Sequence, residues 1–548
     1  MMNRSGVCLQ CWEKVFHTAA AGDCSAHRSA GWAVAIDELF KTYGPNYRIY
    51  VTFTGMLAAF TMVIASTIVN VAVPDVIGAF GVSQSEVQLM ATAFNIAMTT
   101  GQLLNAWAVS VFGQRYGYVA TLALFTVGSV FAGWAETFDM IVIGRVLQGA
   151  AAGIIQPLIM VTLFRAFPEG RRGQALGLYA MGLVFAASVG PVFGGLAIEA
   201  FDWRAIFFMP LVLVVLCVPL GMMFMPVDRG DKAVAFDWLG YGLIVVAMYC
   251  LITAISNGLR DGWASDYIVG LFVGALFSGA AFLLSQTRDS ASLLDLSLFR
   301  SKTFTMAILV TMLSAVGNFA TVYAIPVAAQ LVQNLTALDA GLALMPAMMM
   351  AVIFMPISGH LSDKIAPHKA LYFGLSFLAL GALPFAFADA NTSFYKIVLY
   401  GMVGRWATAF VQPFIMNTAL KTLPPEKLNA GGGTVNFCRH LAGSIGMNIW
   451  VVFVDWRIEF HSDQISTLTQ QGEASSSLLR GVAQIFREAG VPNVVHGHGG
   501  LHYFGQMIEA QATALAFQDG FWVLVVSYLA GIIPAIFLGI EYNKTREK

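Results

Sequence analysis

Charge is what this chain has least of. Only 11% of its 548 residues are Asp, Glu, Lys or Arg, against about 25% in soluble proteins. Even large water-facing folds keep much of their surface wet, so a soluble multidomain enzyme is excluded. Neither sign is in excess, with 30 basic residues facing 31 acidic ones, and nothing points to nucleic acid as a partner. Six cysteines are too few for a disulfide framework, and Cys8, Cys11 and Cys24 all lie in the N-terminal tail. Cys8-x2-Cys11 followed by Cys24-x2-His27 has spacing compatible with a four-ligand zinc site. The segment lacks the glycines and apolar residues that knit such knuckles, so a disordered extension, or a start placed too far upstream, is expected there. No metal and no cofactor is expected. Nor is a cleavable leader, because the first long apolar run begins near Tyr50 and is already of full span length.

Apolar length is what the chain has in place of charge: 57% of it is hydrophobic and its mean hydropathy is +0.71. A membrane helix takes roughly 20 apolar residues. Runs bounded by charge or turn residues fall near 50–73, 87–111, 116–135, 139–164, 174–199, 205–226, 238–257 and 266–285, and then near 303–328, 341–359, 369–389, 395–418, 431–454 and 519–540. Stretches this long are helices rather than ten-residue barrel strands, because lipid leaves no other way to pair the backbone. An even number of spans puts both termini on one side. Arg115, Arg165, Arg171, Arg172, Arg300, Lys302, Lys364, Lys369, Lys421 and Lys427 crowd one set of loops, while the opposite set holds little beyond Arg204, Arg260, Lys396 and Arg457. The positive-inside bias places both termini in the cytoplasm.

The expected organisation is a disordered tail over 1–48, six helices over 49–227, two inserted helices and a linker over 228–300, six more helices over 301–540, and a short tail over 541–548. Within the last bundle, 455–518 reads as a long external loop rich in Ser, Gln, Gly and His, with room for a short helix around Ser477–Arg487. The two halves also resemble each other. Gly144-Arg145 leads to Gln156-Pro157, and Gly404-Arg405 leads to Gln412-Pro413; Phe167-Pro168-Glu169 has its echo in Pro424-Pro425-Glu426. Two halves built alike around a site is a plan shared by many secondary transporters.

Several motifs carry chemistry. Arg145, Gln148, Gly149, Ala152 and Gln156 recur at helical spacing, so the fourth span has one polar, close-packed face. A guanidinium facing lipid there costs at least about 2.5 kcal/mol, so Arg145 must face a wet cavity or a partner. The fifth span carries Gly182, Ala186, Gly190-Pro191 and Gly194-Gly195. Small residues at that spacing let a neighbouring helix approach closely, and Pro191 removes one helix hydrogen bond.

These motifs resemble the drug:proton antiporter branch of the major facilitator superfamily, in its fourteen-helix form. The resemblance rests on the Arg145–Gly149 run, the Gly182–Gly195 run, Asp202-Trp203-Arg204, Asp237-Trp238, Leu293-Leu294-Asp295, and Arg439 with Gly443 and Gly446. It implies an all-α integral membrane fold: two six-helix bundles plus two extra transmembrane helices, 14 spans in all. It also implies export of small amphipathic solutes by alternating access with proton antiport, a place in the cytoplasmic membrane, and, in two-membrane bacteria, a periplasmic adaptor as partner. The family's gating loop is present twice. Gly359, Asp363, Lys364 and Lys369 keep glycine, acid and bases, whereas Gly113 and Arg115 stand in a first copy where Ser110 replaces the acid.

The chain departs from that family in its first span. Ala65 stands two residues before Thr67, where an acid is usual, and every other acid reads as lying at a span end or in a loop. A proton carrier needs a group that titrates inside, and arginine will not. His440 could titrate, or an acid at a span end such as Asp75 or Asp363 could serve, or the solute's own gradient could drive transport. One charge crossing 100 mV supplies about 2.3 kcal/mol, enough for roughly 50-fold accumulation. Arg145, Gln148 and Gln156 facing Arg405 and Gln412, with Asn70, Arg439 and His440 nearby, are the expected solute-path residues, while Gly190 and Pro191 act in packing and hinging. So cationic a cavity favours anionic or zwitterionic solutes. An uncoupled organic-anion carrier and a transporter-like sensor remain as alternatives.

Overall fold

The computed structural model describes residues 36–227, 235–287, 293–470 and 493–546. Cys8, Cys11, Cys24 and the 477–487 stretch lie outside the described residues. Among the described residues there is no strand. The first half comprises α1 (Tyr47–Ile68), α2 (Leu89–Gly101), α3 (Leu104–Gly133), α4 (Phe138–Ala166), α5 (Arg172–Ala200) and α6 (Ala205–Phe224). The inserted pair is α7 (Trp238–Asp261) and α8 (Asp266–Gln286). The second half comprises α9 (Lys302–Leu331), α10 (Ala337–Leu361), α11 (Pro367–Ala382), α12 (Phe394–Lys421), α13 (Leu428–Gln470), α14 (Asn493–Ala530) and α15 (Ile532–Arg546).

Among the described residues, twelve helical stretches are long and apolar enough to cross a membrane. Two expected spans are not among them for local reasons. α2 stops at Gly101, and the chain turns through Gln102-Leu103 before α3 begins. α12 carries Arg405, Thr408, Gln412 and Asn417, which lowers its hydropathy although its 28 residues measure about 42 Å. α3 is in turn two helices, broken at Gly113, whose φ of 73° and ψ of 175° suit a residue without a Cβ. Ser265, Ser301 and Thr336 cap the starts of α8, α9 and α10. Asp237 caps α7 and also accepts from the Gln286 amide at 2.8 Å, so the motif acid joins the inserted helices at one end.

Two expectations about the ends of the chain need correction. Residues 36–43, assigned to a disordered tail, form a helix whose Ile36, Leu39, Phe40 and Tyr43 share one face and pack on the first half. The segment 455–518, expected as a loop, is helical over the described parts, because α13 runs on to Gln470 and α14 already begins at Asn493. Charge does not end these helices because the charges satisfy one another. Arg457 and His461 of α13 both meet the Asp519 carboxylate of α14, at 2.6 and 2.7 Å.

Glycine sets the closeness of the helices. A Cβ on Gly153 of α4 would sit 2.3 Å from the Met98 carbonyl of α2, and one on Gly381 would sit 2.1 Å from Gly404 Cα. The halves meet by the same device. Gly177 of α5 lies against the Met355 carbonyl and Gly359 of α10, and Gly432 and Gly433 of α13 lie against Val161 and the Gln102 carbonyl. The inserted pair packs on the α2/α13 flank, where Ser256 of α7 donates to Asn448 at 2.8 Å. Gly153→Ala should therefore lower stability by about 2 kcal/mol through overpacking. Gly195→Ala, with open space at its Cβ, should be neutral; thermal unfolding of the purified protein in detergent compares the two.

Candidate functional site

Three polar constellations occupy the apolar frame. The first lies within the first half. Arg145 is 1% exposed, and its Nη1 donates to the Ala65 carbonyl at 2.9 Å and to Gln148 Oε1 at 3.0 Å. Its Nε donates to the Met90 carbonyl at 3.2 Å, and the guanidinium lies 4.0 Å over the Phe94 ring. Gln148 passes the network on to Ser129 Oγ at 2.7 Å. Arg145 thus ties α1, α2 and α4 together, and it bonds the backbone of the very residue where the family usually has an acid.

The second constellation is a cavity of about 20 Å³ in the second half. α9 contributes Thr311, Ser314 and Asn318, α12 contributes Thr408 and Gln412, and α13 contributes Arg439. Positions spaced by three and four residues put each set on one helix face. Arg405, one turn from Thr408, donates from Nη1 to Asn318 Oδ1 and from Nη2 to the Met348 sulfur. Arg439 donates from Nη2 to Asn436 Oδ1 at 2.9 Å and lies 3.2 Å from His440 Nε2, whose ring meets Phe319 edge-on. Of the residues expected along the path, the structure brings Gln412 and Arg439 to this wall and places Arg405 and His440 just behind it. Gln156 is buried beside Met98, and its carbonyl accepts from the Tyr179 hydroxyl at 3.1 Å. Arg145 and Gln148 are not on this wall. The side chain of Asn70 lies outside the described residues.

The third constellation joins the halves at the end where the basic loops lie. The Asp363 carboxylate, with its side chain 1% exposed, accepts from the backbone N–H of Gly173 at 2.9 and 3.0 Å and of Gln174 at 3.3 Å. It also takes the Asn417 amide at 3.2 Å and the Lys421 ammonium at 3.0 Å. A carboxylate of one half therefore caps the positive N-terminus of α5 in the other. Lys364 and Lys369, expected to supply the bases, are exposed; Lys421 of α12 takes that place. The first copy of the loop is built differently. Ser110 turns back onto the Trp107 carbonyl at 2.7 Å, and Arg115 donates to the Met225 carbonyl at 2.8 Å. On that flank the halves are joined by Asn105 donating to the Asn429 carbonyl and Arg165 to the Pro425 carbonyl.

Two of the fifth-span glycines, Gly190 and Gly194, allow close packing. Thr67 and Ile68 of α1 fill the space beside Gly190 and Gly194. Gly182 lies elsewhere, in a wholly apolar groove of about 410 Å³ shared by Phe53 and Phe60 of α1, Phe185 of α5 and Val352 of α10. Sequence reading missed Asn417 and Lys421 as partners of Asp363, and also the polar face of α9. The spacing of Thr311, Ser314 and Asn318 is the signal that reveals that face.

Residues 55–447 match the Major Facilitator Superfamily. The chain belongs to that family. A multidrug export protein, EmrB of Haemophilus influenzae, is 28% identical over 89% of this chain and 95% of its own. The uncharacterized MFS-type transporter YhcA of Bacillus subtilis is 26% identical over 90% and 93%. The human organic anion transporter MFSD10 shares the fold, with a TM-score of 0.56 at 11% identity, over 88% of this chain and 99% of its own. The all-helical transporter fold expected from the motifs is the one observed.

Asp363→Asn keeps the shape of the clasp but removes its charge. Charge-assisted hydrogen bonds contribute roughly 1.5–3 kcal/mol, so the closed state at this end should lose at least about tenfold in population. Distances between spin labels at Gly170 and Glu426, each tested against a probe on the other half, should broaden toward longer separations in the variant.

Proposed function

We propose that this protein exports small amphipathic, drug-like solutes across the cytoplasmic membrane by alternating access, with proton antiport as the energy source. The observation that carries the reading is the clasp. Among the described residues, hydrogen bonds between the halves run from Asn105, Arg165, Gly173 and Gln174 to Asn429, Pro425 and Asp363, with Asn436 to Met160 the deepest. Bonds gathered at one end are what one state of a rocking pair requires, because they must break before the cavity can open there. The relatives named for multidrug export support the solute class.

In this reading the helices make fourteen crossings. α2 with the part of α3 before Gly113 forms one of them and α12 another, and the basic ends face the cytoplasm. His440 is the titratable group beside the cavity and the proposed coupling residue. A second reading, carriage of organic anions, is favoured by Arg439 on the cavity wall.

Solute flux in proteoliposomes under an imposed pH gradient tests the proposal. The wild-type chain should accumulate drug only when the gradient is present, and His440→Asn should abolish that dependence while leaving downhill exchange. Ala65→Asp should restore an acid beside Arg145 and strengthen coupling. Flux indifferent to the gradient in wild type removes proton antiport. Arg405→Ala should cut transport of anionic solutes by at least about tenfold, the loss of one charge-assisted contact, and unchanged flux removes Arg405 from the path.

A further inference from the structure

Arginine inside a membrane protein carries a charge that has to be balanced and donors that have to be bonded. Arg145 meets the second need within the protein, with two backbone carbonyls, the Gln148 amide and the Phe94 ring. Arg405 and Arg439 do not. Arg405 Nε is buried without a partner, and its Nη2 reaches only a thioether sulfur, a weak acceptor. Arg439 Nε is likewise buried and unpartnered, and so is the Thr408 hydroxyl between them on α12. All three residues are more than nine-tenths buried. Among the described residues no carboxylate pairs with either guanidinium; the ion pairs lie at helix ends and in the α13–α14 extension, as with Asp363–Lys421, Lys427–Asp295 and Arg457–Asp519.

The cavity that Arg439 and Thr408 line, with Arg405 behind its wall, has the right chemistry and the right size. Its polar wall consists of Thr311, Ser314, Asn318, Thr408, Gln412 and Arg439, which present hydroxyl, amide and guanidinium donors and no acid. Its volume of about 20 Å³ slightly exceeds the roughly 10–15 Å³ that one water needs. A whole drug-sized molecule does not fit in this state; a single small ion, or the carboxylate end of a larger anion, does.

We propose that this cavity is an anion site, in which Arg439 and the Thr408 hydroxyl hold one small monovalent anion, with the charge of Arg405 behind the wall, bonded to Asn318, adding to the attraction. The anion is chloride or the carboxylate group of a solute. It neutralises charge that the protein leaves unpaired, and it keeps α9, α12 and α13 together. The inference rests on the transport reading only in placing the anion beside the solute path; binding itself is measured without any flux.

The test is thermal unfolding of the purified full-length protein in detergent, titrated with sodium chloride against sodium gluconate at fixed ionic strength. In wild type the unfolding temperature should rise with chloride and saturate. In Arg439→Gln the half-saturating concentration should increase by at least about tenfold, a loss of about 1.4 kcal/mol. Thr408→Val keeps both guanidinia and removes one hydroxyl. It should weaken binding by roughly threefold, on the scale of one neutral hydrogen bond, and it keeps the test decisive should Arg439→Gln not fold. Lys396→Gln, an exposed charge in the first turn of α12 and more than two turns from Arg405, should leave the curve unchanged. Benzoate added at fixed chloride separates the two sources. Competition shows that an organic carboxylate enters the same site, no effect on the chloride curve shows that it takes the halide alone, and both uphold an anion site. Equal effects of chloride and gluconate, or the same half-saturation in wild type, Arg439→Gln and Thr408→Val, overturn the proposal even if drug flux is observed.

Discussion

A guanidinium placed among membrane helices keeps its charge and must direct its donors somewhere inside the protein, and much of this structure follows from where three of them point. Arg145 turns to the carbonyls of Ala65 and Met90 and so fixes α1 and α2 on α4. That bond makes the first half a rigid unit without a carboxylate in its first span. Arg439 instead lines a small polar void in the second half, and Arg405 lies behind that wall, bonded to Asn318. The duplicated Gly-Arg pairs therefore have different fates: one arginine is absorbed into the frame, and its counterpart is left next to the space where chemistry can occur.

The same asymmetry marks the closed end. Of the two copies of the Gly-and-base loop, only the second carries a carboxylate, and that carboxylate holds the N-terminus of α5 through backbone N–H groups. The opposite flank relies on neutral amide-to-carbonyl contacts and one arginine. One flank thus depends on a buried charge whose partners lie on two helices, α5 and α12, whereas the other depends on contacts that water can replace at little cost. The inserted helices pack on this second flank, where apolar burial from Ile244, Met248 and Ile252 adds to the weaker polar contacts.

Helix positions were legible in the sequence to within a few residues, because a hydrocarbon layer leaves the backbone few options. The exceptions follow from tertiary pairing. Hydropathy ends α13 near residue 454, yet the helix continues because Arg457 and His461 find Asp519 across the hairpin, a contact invisible along one strand of text. Asp363 was legible as an acid in the loop after α10, and the stretch around Gly113 as the gap between two spans. Lys421 as the partner base was not, since Lys364 and Lys369 are nearer in sequence and the choice is made only by the fold. Arg145 was legible as buried, but two of its three acceptors are main-chain oxygens, which carry no residue signature.

α13 has one further consequence. It runs from Leu428 at the clasped end to Gln470 without a proline, and from Gly443 to its far tip it measures about 40 Å. A rod of that length is a mechanical lever. A few degrees of tilt deep in the bilayer would become several ångströms of travel at the tip, so any tilt of this helix is carried, magnified, into the aqueous space beyond the opposite face.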